Sequence, residues 1–205
     1  MALTIYGIPR SRTFRVLWAA EELGLAYQNV PVDFTEGVKQ PEYLRINPNG
    51  KVPAIDENGF VLTESLAINL YLAKRHGAAS LYPAGAEDEA RAWQWSFWGA
   101  SEIEKPLVDF VFHRLVYPPE KRNESVAAEA EKKLPRPLGV LEAHLASRPY
   151  LLGGSFTIAD LNVASILYTS WFNGMDYGPW PRIKDWLERC LTRPAALRAR
   201  KLREG

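Results

Sequence analysis

Cysteine is nearly absent from this sequence. Cys190 is the only one in 205 residues, which excludes a disulfide framework and any Cys-x-x-Cys redox or zinc site. A reducing, intracellular, cytoplasmic setting is the expectation. Histidine is scarce too. His76, His113 and His144 share no spacing that would make a metal site or a catalytic pair, so each reads as a surface or hydrogen-bonded residue. Net charge is almost lacking: 25 basic against 24 acidic side chains leave a formal +1. The signs are interspersed, and without a basic patch nucleic acid is not an expected partner. No apolar run approaches membrane-spanning length. The opening "MALTIYG" enters strand pattern directly and has no signal-peptide layout.

What is present is material for packed cores. Apolar residues make up 47% of the chain and aromatics 12%, and the length suits two small domains. "LTIYG" reads as a strand. "SRTFRVLWAAEELGL" has apolar residues at helical spacing, with Ser11 as N-cap and Gly24 as stop. "YQNVPVD" is a second strand, placed at a sheet edge by Pro31. "PEYLRINP" is a short helix. "KVPAIDE", the Asn58–Gly59 turn and "FVLTE" form a hairpin, and "SLAINLYLAKRH" is a helix closed by Gly77. The order β-α-β-α-β-β-α implies a mixed sheet covered by helices, an α/β domain of residues 1–78. A linker, residues 79–87, follows. Residues 88–205 are helical in pattern. A long helix bends near Pro106, another is disturbed at Pro135 and Pro137, and two more follow at "TIADLNVASILYTSWF" and "PRIKDWLERCLTR".

Four local signatures stand on this frame in order: Ser11 at the start of the first helix, "NPNGKVPAI" at 47–55, "LTESLAI" at 62–68 and "FTIAD" at 156–160. Together they resemble the cytosolic glutathione transferases over the whole chain, in the serine-type, theta-like, bacterial-style manner. The resemblance implies a thioredoxin-like N-terminal domain, an all-helical C-terminal domain that contributes the acceptor pocket, and a cytoplasmic homodimer. It implies glutathione as co-substrate, a hydrophobic electrophile as second substrate, and neither metal nor organic cofactor.

By itself Pro53 is an awkward residue, since a proline cannot donate to a sheet ladder. The resemblance makes Val52–Pro53 a cis bond that leaves Val52 to pair with an extended peptide, as a strand would. Ser65 reads as an N-cap with Glu64 favoured by the helix dipole, and a helix start is also an anion site. In the family the matching residues hold the γ-glutamyl end of glutathione, Ser65 at the α-carboxylate and Glu64 at the ammonium. Lys51, with Lys39 and Gln40 in the preceding loop, would meet the glycyl carboxylate.

Ser11 carries the chemistry in this reading. Serine-type classes place a serine in an S-x-x-x-R context, here "SRTFR", facing the glutathione sulfur. Only the thiolate is a good nucleophile. Moving a thiol from ~8.5 to ~7 needs about 2 kcal/mol, and one hydrogen bond to a charged acceptor supplies ~1.5–3 kcal/mol. A single hydroxyl is therefore large enough without a general base. Thr13 is a rival donor and Arg12 a source of positive potential. Tyr6 points into the fold and ranks below Ser11. Arg12, Thr13, Phe112, His113 and Val116 are the candidate acceptor contacts. Trp93, Trp95 and Trp98 read as core or dimer contacts, and Cys190 as core. In "FTIAD", Thr157 and Asp160 form a capping box whose loss should cost ~1 kcal/mol. Isomerisation, dehalogenation, and peroxide or disulfide reduction share the same thiolate and stay open, as does a non-enzymatic binding module.

Overall fold

The computed structural model describes residues 2–77 and 80–205. Ala78 and Ala79, at the expected domain boundary, lie outside the described residues. The chain forms two compact units, Met1–Ala84 with Arg193–Gly205, and Gly85–Thr192.

The first unit is built on strands β1 (Leu3–Tyr6), β2 (Gln28–Val30), β3 (Ala54–Glu57) and β4 (Phe60–Thr63), in spatial order β2-β1-β3-β4. β1 runs parallel to β2 and antiparallel to β3, and β3 runs antiparallel to β4. The sheet is mixed, and β2 lies at its edge, where Pro31 needs no ladder partner. Helices α1 (Phe14–Glu22), α2 (Pro41–Leu44) and α3 (Ser65–His76) accompany it. Alternation along the strands sends side chains to opposite faces. Leu3, Ile5 and Ile55 pack with Val16, Leu17 and Ala20 of α1 and Ile68 and Leu72 of α3. Tyr6 and Ala54 turn the other way, toward Val38, Tyr43 and Val52. The hairpin turn sets Asn58 at φ 54° and Gly59 at φ 90°, the positive pair that a two-residue hairpin loop requires.

A cluster around the buried Glu57 carboxylate pins this hairpin to the end of α3. Glu57 accepts from the Tyr71 hydroxyl at 2.6 Å, lies 2.6 Å from His76 Nε2, and pairs with Arg75 at 3.2 Å. Burial pushes the Glu57 carboxyl up, but the bonds from Tyr71 and His76 and the charges of His76 and Arg75 outweigh it and hold it below the usual value.

The second unit holds α4 (Ala86–Trp98), α5 (Glu104–Phe110), α6 (Glu124–Lys133), α7 (Pro135–His144), α8 (Ile158–Phe172) and α9 (Pro181–Leu191). The long helix expected over α4 and α5 is interrupted at Gly99–Ile103, just ahead of Pro106. Proline removes one helical hydrogen bond and crowds the carbonyl four residues earlier, so the helix widens there. Pro135 divides α6 from α7 in the same way. Asn123 caps α6, accepting the Val126 N–H at 3.2 Å. α8 is buried on nearly every side and runs through the centre of the unit. α9 packs one face, Ile183, Trp186, Leu187, Cys190 and Leu191, which are fully buried.

Helix α10 (Pro194–Glu204) has no counterpart in the sequence reading, which ends its last helix at Arg193 and assigns residues 88–205 to one domain. Here Arg193–Gly205 belong to the first compact unit, and α10 packs on α1. Arg193 donates twice to Glu22, at 2.7 and 2.8 Å, and Arg198 pairs with Glu21.

The capping box of α8 is present between Thr157 and Asp160, and its acid does more than cap. Asp160 also accepts the Leu151 N–H at 2.8 Å and the Trp186 Nε1–H at 2.9 Å, and it is fully buried. Removing it strands buried donors at about 1–3 kcal/mol each, beyond the cap itself. We therefore expect Asp160→Ala to cost about 3 kcal/mol or more and to lower the Tm by roughly 10 °C, checked by calorimetry. A shift of only a degree or two would show the Leu151 and Trp186 bonds to be worth little. For Glu57, a carboxyl held below its unfolded value stabilises the fold above the ordinary glutamate range and loses that contribution as pH falls from this range through its lowered folded value. Acid unfolding should therefore begin at lower stability and follow a flatter profile in Glu57→Gln than in wild type.

Candidate functional site

The first unit brings three segments of chain together where β1 ends. β1 runs into Gly7, and a kinked turn, Pro9–Thr13, leads into α1. Inside this turn Ser11 is extended, at φ −109° and ψ −168°, and its Oγ accepts the Thr13 N–H at 3.1 Å. That is the N-cap geometry expected of it. The Ser11 hydroxyl also lies 2.7 Å from the Ile8 carbonyl and 2.8 Å from Thr13 Oγ1. Ser11 has one proton to give. When it goes to Ile8, the Thr13 hydroxyl donates into Ser11 Oγ. The Ile8 carbonyl also receives the Ser11 N–H at 3.1 Å, so the hydroxyl proton can swing to another acceptor without stranding it. Thr13 is fully buried, whereas Ser11 is half-buried. Tyr6 packs beside Tyr43, with ring centroids 6.4 Å apart.

Gly7 makes this arrangement possible. It sits at φ 131°, and a Cβ there would fall 2.0 Å from Thr13 Oγ1 and 3.0 Å from Val52 Cβ. The Val52–Pro53 peptide bond is cis. Among the described residues, the Val52 N–H and C=O have no hydrogen-bond partner. The preceding carbonyl is held firmly, however. Lys51 C=O accepts the Tyr43 hydroxyl and Asn47 Nδ2, both at 2.6 Å. Burial pushes the Tyr43 hydroxyl up to about 12, so it remains a proton donor throughout the neutral range. Pattern reading missed Tyr43 and Asn47. Both lie in "PEYLRINPNG", and only the fold shows that they converge on one carbonyl.

Glu64 and Ser65 lie at the junction of β4 and α3. The expected N-cap role of Ser65 is not what the structure shows. Glu64 occupies the cap position at φ 70° and ψ 110°, and Ser65 is the first helical residue. The Ser65 Oγ instead accepts from Arg15 Nη1 at 3.3 Å. Arg15, the final residue of "SRTFR", is a buried cation on α1 and links the Ser11 helix to the start of α3. Glu64 is exposed.

The remaining candidates are tied less closely to this centre. Lys51 is exposed. Lys39 pairs with Glu36 at 2.8 Å, with both side chains largely in solvent, a bond worth little and easily exchanged. Gln40 Nε2 donates to the Glu36 carbonyl at 3.3 Å. Arg12 is exposed beside Ser11. Phe112, His113 and Val116 lie in a wide turn, Val111–Val116, that ends the α5 helix of the second unit. Phe112 and His113 pack on the Tyr117 ring at 5.2 and 5.1 Å. His113 Nδ1 accepts the Asn123 N–H at 3.0 Å. The other histidines are likewise engaged, His76 by Glu57 and His144 by the Leu151 carbonyl at 2.8 Å. Among the described residues no cluster of His, Cys, Asp and Glu could hold a metal ion, and no helix is long and apolar enough to cross a membrane.

The fold so defined, a four-stranded mixed α/β unit with a helical companion, is matched along nearly the whole chain. Residues 1–74 match the glutathione S-transferase N-terminal domain and residues 106–194 the C-terminal domain. "Glutathione S-transferase 3" of Zea mays is 35% identical over 204 residues, covering 94% of this chain and 90% of that protein. "Glutathione S-transferase 1" of Triticum aestivum is 31% identical, covering 95% and 91%. Among solved structures, the theta class glutathione S-transferase of the citrus canker pathogen Xanthomonas axonopodis pv. citri, with glutathione bound, superposes with a TM-score of 0.88 at 33% identity, covering 96% of each chain. The chain belongs to the glutathione S-transferase family.

A non-glycine residue at φ 70° stores roughly 1–3 kcal/mol of backbone strain, and only glycine relieves it at low cost. Glu64→Gly should therefore be more stable than Glu64→Ala by about 1 kcal/mol or more. A thermal melt in which the alanine variant is the more stable would show that the turn is unstrained.

Proposed function

We propose that this enzyme conjugates glutathione to electrophilic small molecules, with Ser11 holding the glutathione sulfur as thiolate. The observation that carries the reading is the free backbone of Val52 packed against the Ser11–Thr13 turn through Gly7. An extended peptide can pair with Val52 N–H and C=O as a strand does, which sets its cysteine beside the turn. At one end Ser65 donates to the γ-glutamyl α-carboxylate and Glu64 accepts from the ammonium. At the other, Lys51, with Lys39 and Gln40, meets the glycyl carboxylate. Thr13 supports Ser11 from the buried side. By donating into Ser11 Oγ it leaves the serine proton for the sulfur and strengthens that donor cooperatively.

The chemistry then needs little more. The thiol proton passes to water. The sulfur lone pair forms a C–S bond with the electrophilic carbon, and a displaced halide leaves with its bonding pair. A hydrophobic acceptor is expected; Arg12, exposed on the first unit, and Phe112, His113 and the 41% exposed Val116 on the second remain candidates for meeting it, whereas Thr13 is fully buried and drops out. Trp93 and Phe97 project from α4 at 42% and 67% exposure, apolar surface suited to a second copy of the chain. A cytoplasmic homodimer follows from this reading.

The test is glutathione binding by calorimetry, joined to conjugation of an activated aryl chloride. Wild type should bind and turn over. Ser11→Ala should raise the titration midpoint of the bound thiol by about 1 unit or more, since one unit is ~1.4 kcal/mol, and lower kcat at neutral pH by roughly tenfold or more. Thr13→Val should lower it by a few fold. No binding by wild type rejects the reading. Full activity in Ser11→Ala with loss in Thr13→Val moves the thiolate to Thr13.

A further inference from the structure

The Ser11 turn is gripped from the far end of the chain. Arg203, in the last turn of α10, donates from Nη1 to the Pro9 carbonyl at 2.9 Å and to the Ser11 carbonyl at 3.0 Å. Its guanidinium carbon stands 5.5 Å from the centre of the Phe14 ring. Nη1 carries two hydrogens, one for each carbonyl. The two acceptors belong to residues on either side of Arg10, so one planar, charged group fixes the path of the turn where Ser11 departs from helical geometry. Charge-assisted bonds of this kind are about twice as strong as neutral ones. They also quiet the negative ends of two peptide dipoles close to the proposed sulfur position. α10 is itself moored to α1 by the Arg193–Glu22 pair at its start, so the arginine arrives on a fixed support.

We propose that Arg203 is a positioning residue for catalysis, holding the Pro9–Ser11 carbonyls so that the Ser11 hydroxyl is presented to the glutathione sulfur. This rests on the assignment of Ser11 made above. Arg203 itself touches neither sulfur nor acceptor in this scheme. Its effect is felt through the turn, as the fraction of bound glutathione that is thiolate.

The experiment follows the bound thiolate by its ultraviolet absorbance against pH, together with kcat and the glutathione KM, in wild type, Arg203→Met, Arg203→Lys, Arg198→Gln and Ser11→Ala. Arg203→Met should raise the titration midpoint by about 1 unit and lower kcat near neutrality about tenfold. KM for glutathione should stay within about twofold, and kcat should recover above the raised midpoint. Arg203→Lys should restore part of the effect, because it keeps the charge but loses the forked geometry. Arg198→Gln loosens the same helix without touching the turn and should leave the midpoint in place. Should Arg203→Met fail to fold, Arg203→Lys against Arg198→Gln makes the same comparison. The inference is overturned if the midpoint is unmoved in both Arg203 variants, or if Arg198→Gln moves it equally. A midpoint that moves in Ser11→Ala but not in the Arg203 variants defeats this inference alone. One unmoved in Ser11→Ala defeats the Ser11 assignment and, with it, the role given to Arg203.

Discussion

Residue 7 has no room for a side chain, and the candidate site depends on that. Gly7 closes β1 with its N–H on the Val30 carbonyl and its own carbonyl on Asn29 Nδ2, both at 2.9 Å. The edge strand therefore fixes its position from one side. On the other side Thr13 and Val52 press into the space a Cβ would fill. A methyl group there would have to displace a buried threonine hydroxyl that lies 2.8 Å from Ser11 Oγ, or the valine that offers its backbone. Sheet, helix start and the Val52 segment meet at one atom's worth of empty volume. This is why a glycine, and not a turn residue of another kind, stands after the strand.

Much of this was legible in the sequence, and for identifiable reasons. The strands and helices of the first unit follow alternation and helical spacing, and the edge position of β2 follows from Pro31. Val52–Pro53, Ser11 and Glu64–Ser65 could be named because short motifs carry them. What escaped depends on distance in space. N-cap preference places Ser65 at the cap, because nothing in "TESLA" reveals that Glu64 turns to φ 70°. Asp160 looks like a local cap, since Leu151 and Trp186, nine and twenty-six residues away, converge on it only in the fold. α10 escaped because its buried face is Ala195, Ala196 and Ala199. Small side chains give no apolar stripe, although the proline at its start and the basic last turn are ordinary helix signals.

The strained conformation at Glu64 persists because its surroundings leave no alternative. β4 ahead of it is fixed by pairing with β3, and α3 after it is fixed by Ile68 and Leu72 in the core. Glu57 closes the loop, tying the far end of β3 to Tyr71, Arg75 and His76 on the last turns of α3. Strand, turn and helix are thus clamped at both ends. The junction cannot relax without breaking either the ladder or a buried carboxylate cluster, whose disruption is costly. A turn held this way keeps Glu64 and the Ser65 hydroxyl fixed before any ligand arrives.

A common logic links the two ends of the proposed glutathione site. An anion is bound by a hydroxyl only when the hydroxyl donates, and a serine left to itself can do either. Each serine here is supplied from behind with at least one N–H donor that cannot accept in return. Arg15, a cation with no lone pair to offer, donates into Ser65 Oγ. The Thr13 N–H donates into Ser11 Oγ, and the Thr13 hydroxyl can do the same. With these donors in place, each serine is biased toward giving its proton: in the proposed site Ser65 would give it to a carboxylate, and Ser11 would swing its proton from the Ile8 carbonyl to the thiolate. This selects for anionic ligands without placing a net positive side chain in contact with the sulfur. A lysine or arginine there would bind the thiolate more tightly, but it would also lower the nucleophile's energy and slow its attack. A polarised hydroxyl of about 1.5–3 kcal/mol is enough to ionise the thiol near neutral pH while leaving the sulfur reactive.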